Sequence, residues 1–302
     1  VLDLSVVIPA FNEAERLPST LSSVHEFLAE SGKSFEIIVV DDGSTDRTAA
    51  VADEFSARLS SPERELRRLS LATNRGKGHA VRYGVLNARG RVILLSDADC
   101  SSPIGELRRL EQALDNGADV AIGSRAINSA ETRVDSLPSR RFAGTIFNMA
   151  VRLLLLPGIR DTQCGFKLYR RDVALRIFSG SRLNRYGFDV ETLFIARVLG
   201  YDVAEVPINW RHVAGSKVNM LTYLPTALYE LLFIKLRAVA GRYGNEGSVI
   251  SLGRRFARTR RLPRVDATFV HRQHPPPLSE RSAAPTALRN EPAAALAQPP
   301  QS

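Results

Sequence analysis

The sequence predicts an α/β fold, Rossmann-like, with a mainly parallel sheet and helices on both faces. Three observations predict it. Apolar, largely β-branched runs recur at 4–8, 35–40, 92–95 and 119–122. Segments with helical spacing separate them. The runs are apolar throughout rather than alternating, as in sheets covered on both sides.

The elements follow in order. After the first run, Leu17, Leu21, Val24 and Leu28 recur at helical spacing behind FNEAE. Asn12 is placed there to cap, with Glu15 three residues on in the manner of a capping box. A shorter apolar run at 67–71 adds a strand, and helices are expected at about 79–88, after RGKG, and at about 103–116. Beyond residue 125 the pattern changes: a strongly apolar helix at 142–156, the polar segment GIRDTQCGFKLYRRD, helices near 171–178 and 189–199, and a short strand near 202–207. Residues 220–240 place Leu221, Leu224, Leu228 and Leu232 on one helical face, with Lys235, Arg237 and Arg242 at a basic end. There is no internal repeat.

The net charge of +9 is unevenly spread, since residues 245–302 hold nine Arg against four acids and half of the sixteen Pro. That segment reads as a disordered tail. It lacks the interleaved aromatics of a nucleic-acid surface, and no nucleic-acid partner is expected. Two cysteines, Cys100 and Cys164, are too few for a disulfide framework or a zinc site of usual spacing and suit a reducing compartment. No signal peptide and no membrane-spanning run are read.

In open α/β sheets, ligands bind at the carboxyl ends of the strands. Here the exits read PAFNEAE, DDGSTDRT, SDADCSSP and GSR, and three of the four deliver carboxylates. Some of these have local roles: Gly43 suits a tight turn, Ser44 or Thr45 a cap, and Asp46 the first turn of a helix. RGKG is not a P-loop. Asp97 and Asp99, two apart, share one face of a strand end. Two hard oxygen ligands suit Mg²⁺ or Mn²⁺ shared with phosphate oxygens, with Lys77 and Arg125 adding positive charge. A nucleoside diphosphate is the ligand such a pocket calls for.

In order and spacing, VVIPAFNEAERL, EIIVVDDGSTDRT, NRGKGHAVRYG, VILLSDADCSSP and AIGSR resemble the family 2 glycosyltransferases of the GT-A fold. Downstream, DTQCGFKLYRRDVA, GFDVETLFIAR and EVPINWRHVAGSKV resemble the polyprenyl- and dolichyl-phosphate sugar synthases within that family, especially the dolichyl-phosphate glucosyltransferase type. The resemblance covers about residues 3–240, and the expected organisation is a GT-A domain at 1–217, an amphipathic C-terminal helical segment at 218–244 and, outside the resemblance, the Arg/Pro-rich tail at 245–302. It assigns Pro9, Ala10, Glu13 and Asp42 to the nucleoside. Asp97, Ala98 and Asp99 become the metal-diphosphate segment, with Lys77 adding charge and Arg125 beside the sugar-phosphate. Arg211 and Lys217 would close a basic loop over the phosphates.

The implied reaction moves a sugar from a UDP- or GDP-sugar to a polyprenyl phosphate with inversion, assisted by Mg²⁺ or Mn²⁺. Arg140, Arg141 and Lys167 are candidates to orient the acceptor phosphate. A hydroxyl acceptor would instead need a carboxylate base, for which Asp189, Glu191 and Asp161 are candidates. A non-catalytic nucleotide- or nucleic-acid-binding protein is a more distant alternative. No C-terminal transmembrane helices of the kind some members carry are read here. Attachment is therefore expected to be peripheral, on the cytoplasmic side of a membrane, through the 220–240 helix or a membrane-protein partner, and the chain cytoplasmic if unattached.

Overall fold

The structure, a computed structural model, describes residues 2–135, 148–213 and 220–243, with side chains from residue 226 in the last stretch. Arg140, Arg141, Lys217, the 217/218 boundary and the 245–302 segment lie outside the described residues. The expected strands, with one more, form one sheet: β1 (Leu4–Ala10), β2 (Phe35–Asp41), β3 (Arg64–Ser70), β4 (Val92–Leu95), β5 (Val120–Ser124), β7 (Lys167–Arg170) and β8 (Val203–Pro207), in the order β3-β2-β1-β4-β7-β5-β8. β1 pairs in parallel with β2 on one side and β4 on the other. The strand order therefore turns back at β1, and the crevice beyond β1 and β4 is a switch point, where such sheets bind ligands.

β7 was not foreseen. It lies in the polar segment after residue 157 and runs antiparallel between β4 and β5. Four residues that include Lys167 and Arg170 carry too weak an apolar signal to read as a strand. Two further short strands, β6 (Val134–Asp135) and β9 (Trp210–Arg211), pair with each other.

The helices are α1 (Leu17–Glu30), α2 (Thr48–Leu59), α3 (Lys77–Leu86), α4 (Leu107–Asp115, after a 3-10 turn), α5 (148–154), α6 (Arg171–Gly180), α7 (Phe188–Val198) and α8 (Met220–Val239). Successive strand residues face opposite sides. Val7, Ile38, Val40, Ile93 and Leu95 join a core with residues of α3, α6, α7 and α8. Val6, Ile8, Ile37, Val39 and Leu94 are also fully buried, on the other side of the sheet. Each such aliphatic side chain contributes roughly 1.5–3 kcal/mol on leaving water. The sheet is thus covered on both faces, as its uninterrupted apolar strands predict.

One helix expectation is corrected. α1 starts at Leu17 with Arg16 at its N-cap and no side-chain cap bond, so Asn12 and Glu15 form no capping box. In α8, Ala227, Leu231 and Ile234 are buried, whereas Leu228 and Leu232 of the expected apolar face are 53% and 54% exposed. The helix packs through one edge and leaves an apolar stripe outside. No helix among the described residues is long and apolar enough to cross a membrane.

Candidate active site

The exits of β1 and β2 are tied together by short polar side chains. Asn12, with φ 55, accepts the Thr45 N–H at 2.8 Å and donates its own N–H to Ser44 Oγ at 2.9 Å. The Glu13 N–H donates to Thr48 Oγ1 at 2.7 Å. Asn12 therefore joins two loops instead of starting a helix, a role its local sequence does not reveal. Asp46 stands at the head of α2, accepting the Thr48 N–H at 2.9 Å. Gly43, with φ 72, combines the expected turn with tight packing, since a Cβ there would stand 2.6 Å from the Thr73 carbonyl carbon.

Asp42 shapes the next loop. Its two carboxylate oxygens accept the N–H groups of Arg75 and Gly76, each at 2.8 Å. That bends the chain into α3, whose first residue, Lys77, places Nζ 2.6 Å from Asp97 Oδ1. After β4 the chain turns sharply through Cys100, with φ 52. The Ser101 N–H then donates to Asp99 Oδ1, and the Arg211 N–H to the Ser101 carbonyl, both at 2.9 Å. Thr20 Oγ1 donates to the Ala98 carbonyl at 2.7 Å. Asp97, Ala98 and Asp99 are thereby fixed at a strand exit by contacts from three other segments.

A cavity of about 480 Å³ opens over these exits. Pro9, Ala10, Glu13, Asp42, Lys77, Asp97, Ala98 and Asp99 all line it. The structure adds residues that sequence reasoning missed, among them Phe11, Arg16, Arg75, Arg185 and Tyr186. Phe11 adjoins Ala10 in the first strand exit, PAFNEAE. Arg185 and Tyr186 come from a turn far along the chain, and no local signal points to them.

The segment after α5 supports the site from below. Gly165 lies against Asp97 so closely that a Cβ there would fall within the carboxylate. Asp161 holds Arg125 by two bonds, at 2.7 and 2.8 Å, and the Arg125 guanidinium lies 5.4 Å from the ring centre of Trp210, the chain's one tryptophan. Lys167, fully buried, pairs with Asp189. Burial pushes the Asp97 carboxyl upward, but Lys77 beside it, with Lys167 and Arg125, holds it below the ordinary carboxylate range. Burial works against Lys77 as well, and Asp97, Asp189 and Asp99 together hold it above its ordinary value. Asp189 differs: burial raises it, and the two lysines offset this only in part.

The structure therefore brings together around one cavity the residues that the resemblance assigns to the nucleoside and the metal-diphosphate, whereas Arg125, held by Asp161, and Arg211, bonded through its backbone to Ser101, do not line it. Asp189 does not line the cavity and pairs with Lys167. Glu191 does not reach it. Its Oε2 accepts the N–H groups of Arg182 and Leu183, each at 2.8 Å, and its Oε1 the Tyr243 hydroxyl at 2.7 Å. Two residues apart on a helix, Asp189 and Glu191 point in different directions. The metal-ligand chemistry fits a partly hydrated Mg²⁺ or Mn²⁺. Asp97 and Asp99 supply two hard oxygens, and no cluster of three metal-binding side chains occurs among the described residues. The remaining positions are those that water and phosphate oxygens fill.

A strand-exit cavity with an Asp-x-Asp pair, on a mainly parallel sheet with one antiparallel insertion, defines a nucleotide-sugar transferase of the GT-A class. The chain belongs to glycosyl transferase family 2, whose model matches residues 5–178. Its curated relatives include the dolichyl-phosphate beta-glucosyltransferases of Mus musculus, 40% identical over 80% of this chain and 77% of that protein, and of Drosophila melanogaster, 41% identical with the same coverage. Among solved structures, it resembles glucosyl-3-phosphoglycerate synthase from Mycobacterium tuberculosis, crystallised with Mn²⁺, UDP-glucose and phosphoglyceric acid. The TM-score is 0.60 at 18% identity, over 77% of this chain and 79% of that one. Mannosyl-3-phosphoglycerate synthase from Rubrobacter xylanophilus gives 0.57 at 18% identity, over 79% and 75%. The chain is a glycosyltransferase with the GT-A fold.

Proposed function

We propose that this enzyme transfers glucose from a nucleoside diphosphate sugar, UDP-glucose first among the candidates, to a polyprenyl phosphate of the dolichyl type, with inversion at the anomeric carbon. The observation that carries the reading is the cavity at the switch point, where Asp97, Asp99, Lys77 and the first turn of α3 converge. A helix start with a lysine is a ready anion site. The sugar and acceptor follow the names of the curated relatives. UDP follows the nucleotide bound in the M. tuberculosis relative of the same fold.

In this reading the acceptor phosphate oxygen attacks the anomeric carbon as the bond to the diphosphate oxygen breaks, and the electron pair leaves with the diphosphate. Asp97 and Asp99 would hold Mg²⁺ or Mn²⁺, which when bound supplies positive charge at the leaving diphosphate. Lys77 lies within reach of the same charge, where preorganised cations act most strongly. A phosphate acceptor is already anionic near neutral pH, with a second pKa of about 6, so no base is required. The positions of Asp189, paired with Lys167, and of Glu191, bonded on both oxygens, favour this over a hydroxyl acceptor.

The test is transfer itself. Purified protein is incubated with Mn²⁺, a polyprenyl phosphate and, in parallel, labelled UDP-glucose, GDP-glucose, UDP-galactose and GDP-mannose. Label from UDP-glucose entering the organic phase is the expected result; label from GDP-mannose alone would reassign the donor. No transfer to the lipid from any donor would end the reading.

A lipid acceptor places the reaction at a membrane, which we put on the cytoplasmic face. Leu228, Tyr229, Leu232, Leu236 and Val239 of α8 are 53–66% exposed and follow one side of the helix. That stripe suits shallow insertion into a bilayer surface. The protein should float with anionic vesicles, and the double variant Leu232→Glu, Leu236→Glu should float several-fold less. Wild-type protein that stays in the soluble fraction, with and without anionic lipid, would contradict attachment through α8.

A further inference from the structure

Resting on the reading that this cavity takes phosphates, we infer that Arg185 is a phosphate-binding residue of the site, acting with Arg75. The starting point is which cations around the cavity already have partners. Lys77 is held by Asp97, Arg16 by Glu13, Arg125 by Asp161 and Lys167 by Asp189. Arg75 and Arg185 also line the cavity, and no ion pair or side-chain hydrogen bond engages either guanidinium among the described residues. The Arg185 stem packs over Gly76, the residue after Arg75: a Cβ on Gly76 would stand 3.4 Å from Arg185 Cγ. Two guanidinium groups on touching segments, neither in an ion pair among the described residues, leave positive charge that a bound anion would offset. The charge of Arg75 is felt nearby, where burial, then Arg82 and Arg75, lower the His79 pKa against Asp42.

The turn that presents Arg185 is built to stay in place. Below it, Gly76 and Gly78 make room: a Cβ on the first would stand 2.5 Å from the Asn184 carbonyl oxygen, and on the second 2.7 Å from that of Leu183. The His79 N–H donates to the Asn184 carbonyl at 3.1 Å. Behind it, Glu191 accepts the Arg182 and Leu183 N–H groups. At its far end, a Cβ on Gly187 would stand 2.6 Å from Glu230 Oε2 of α8. The glycines of RGKG thus clear space for this turn, and Glu191 is a positioning residue. A guanidinium on a fixed turn loses little freedom on binding and can grip two phosphate oxygens at once.

The phosphate could be the donor's or the acceptor's, and the experiment separates them. Kinetics of wild type, Arg185→Ala and Arg185→Lys are measured with each substrate varied in turn, alongside titration with inorganic pyrophosphate and Mn²⁺. Losing one charged hydrogen-bond donor weakens binding about 10- to 100-fold. Arg185→Ala is expected to raise KM for the donor, with weaker pyrophosphate binding, or KM for the acceptor alone; Arg185→Lys should recover part of the loss. Both KM values, kcat and pyrophosphate affinity all within twofold of wild type would overturn the inference. Pyrophosphate binding is measured without turnover, so a failed transfer assay overturns the acceptor reading and leaves this test standing.

Discussion

Asp97→Asn is expected to lower turnover by roughly 10³-fold, the scale of removing a central electrostatic group from a site of this kind, while the protein stays folded. Asp97 stands at the meeting point of the site. It stands two residues beyond β4, lines the cavity, pairs with Lys77 and rests on Gly165. The amide keeps the shape and loses the charge that offers a cation a hard ligand. Lys77 would lose its partner, but both side chains keep partial contact with solvent, at 25% and 34% exposure. The stability cost should therefore be about 1 kcal/mol, a Tm shift of roughly 2–4 °C for a domain of this size. Steady-state kinetics with a thermal melt of the same preparation check it. Near wild-type turnover would remove Asp97 from the chemistry.

Gly165→Ala should have the second largest effect, although it replaces no charged residue. The added methyl would occupy the space of the Asp97 carboxylate. Gly165 does not have a positive φ, so its backbone accepts alanine. The strain falls on the side chain of Asp97, which can rotate away. A displacement of about 1 Å in a reacting constellation costs about 10²-fold in rate. The expected result is that loss in kcat with a Tm within a few degrees of wild type. Unchanged kcat would mean that Asp97 has room the structure does not give it. A collapse in Tm would mean that Gly165 serves the fold instead.

These two residues also mark how far the sequence could be read. Asp97 and Asp99 were legible because an apolar strand ends on them and neighbouring exits carry related chemistry. Gly165 was not, because its meaning lies in a contact between segments distant in sequence. β7 stayed hidden for a related reason: its pairing with β4 and β5, not its own four residues, makes it a strand. Asp189 and Glu191 read as a pair of acids in GFDVE, yet helical geometry sends one to Lys167 and the other to the Arg182–Leu183 backbone. RGKG was seen as a glycine-bearing loop with a cation. That its glycines make space for the turn carrying Arg185 appears only when the two segments are side by side. For α8, helical spacing located the helix but could not say which apolar edge faces the core.

In the proposed function, Asp97 and Asp99 form one site for a divalent cation and a nucleoside diphosphate. Calorimetric titration of UDP and GDP into wild type and Asp97→Asn, each with Mn²⁺ and with the metal chelated, puts this site to the test. Wild type is expected to bind at least one of the two nucleotides, at least tenfold more tightly with Mn²⁺, and Asp97→Asn to lose this metal dependence. Equal affinity in all four conditions, or no binding of either nucleotide by wild type, would contradict it.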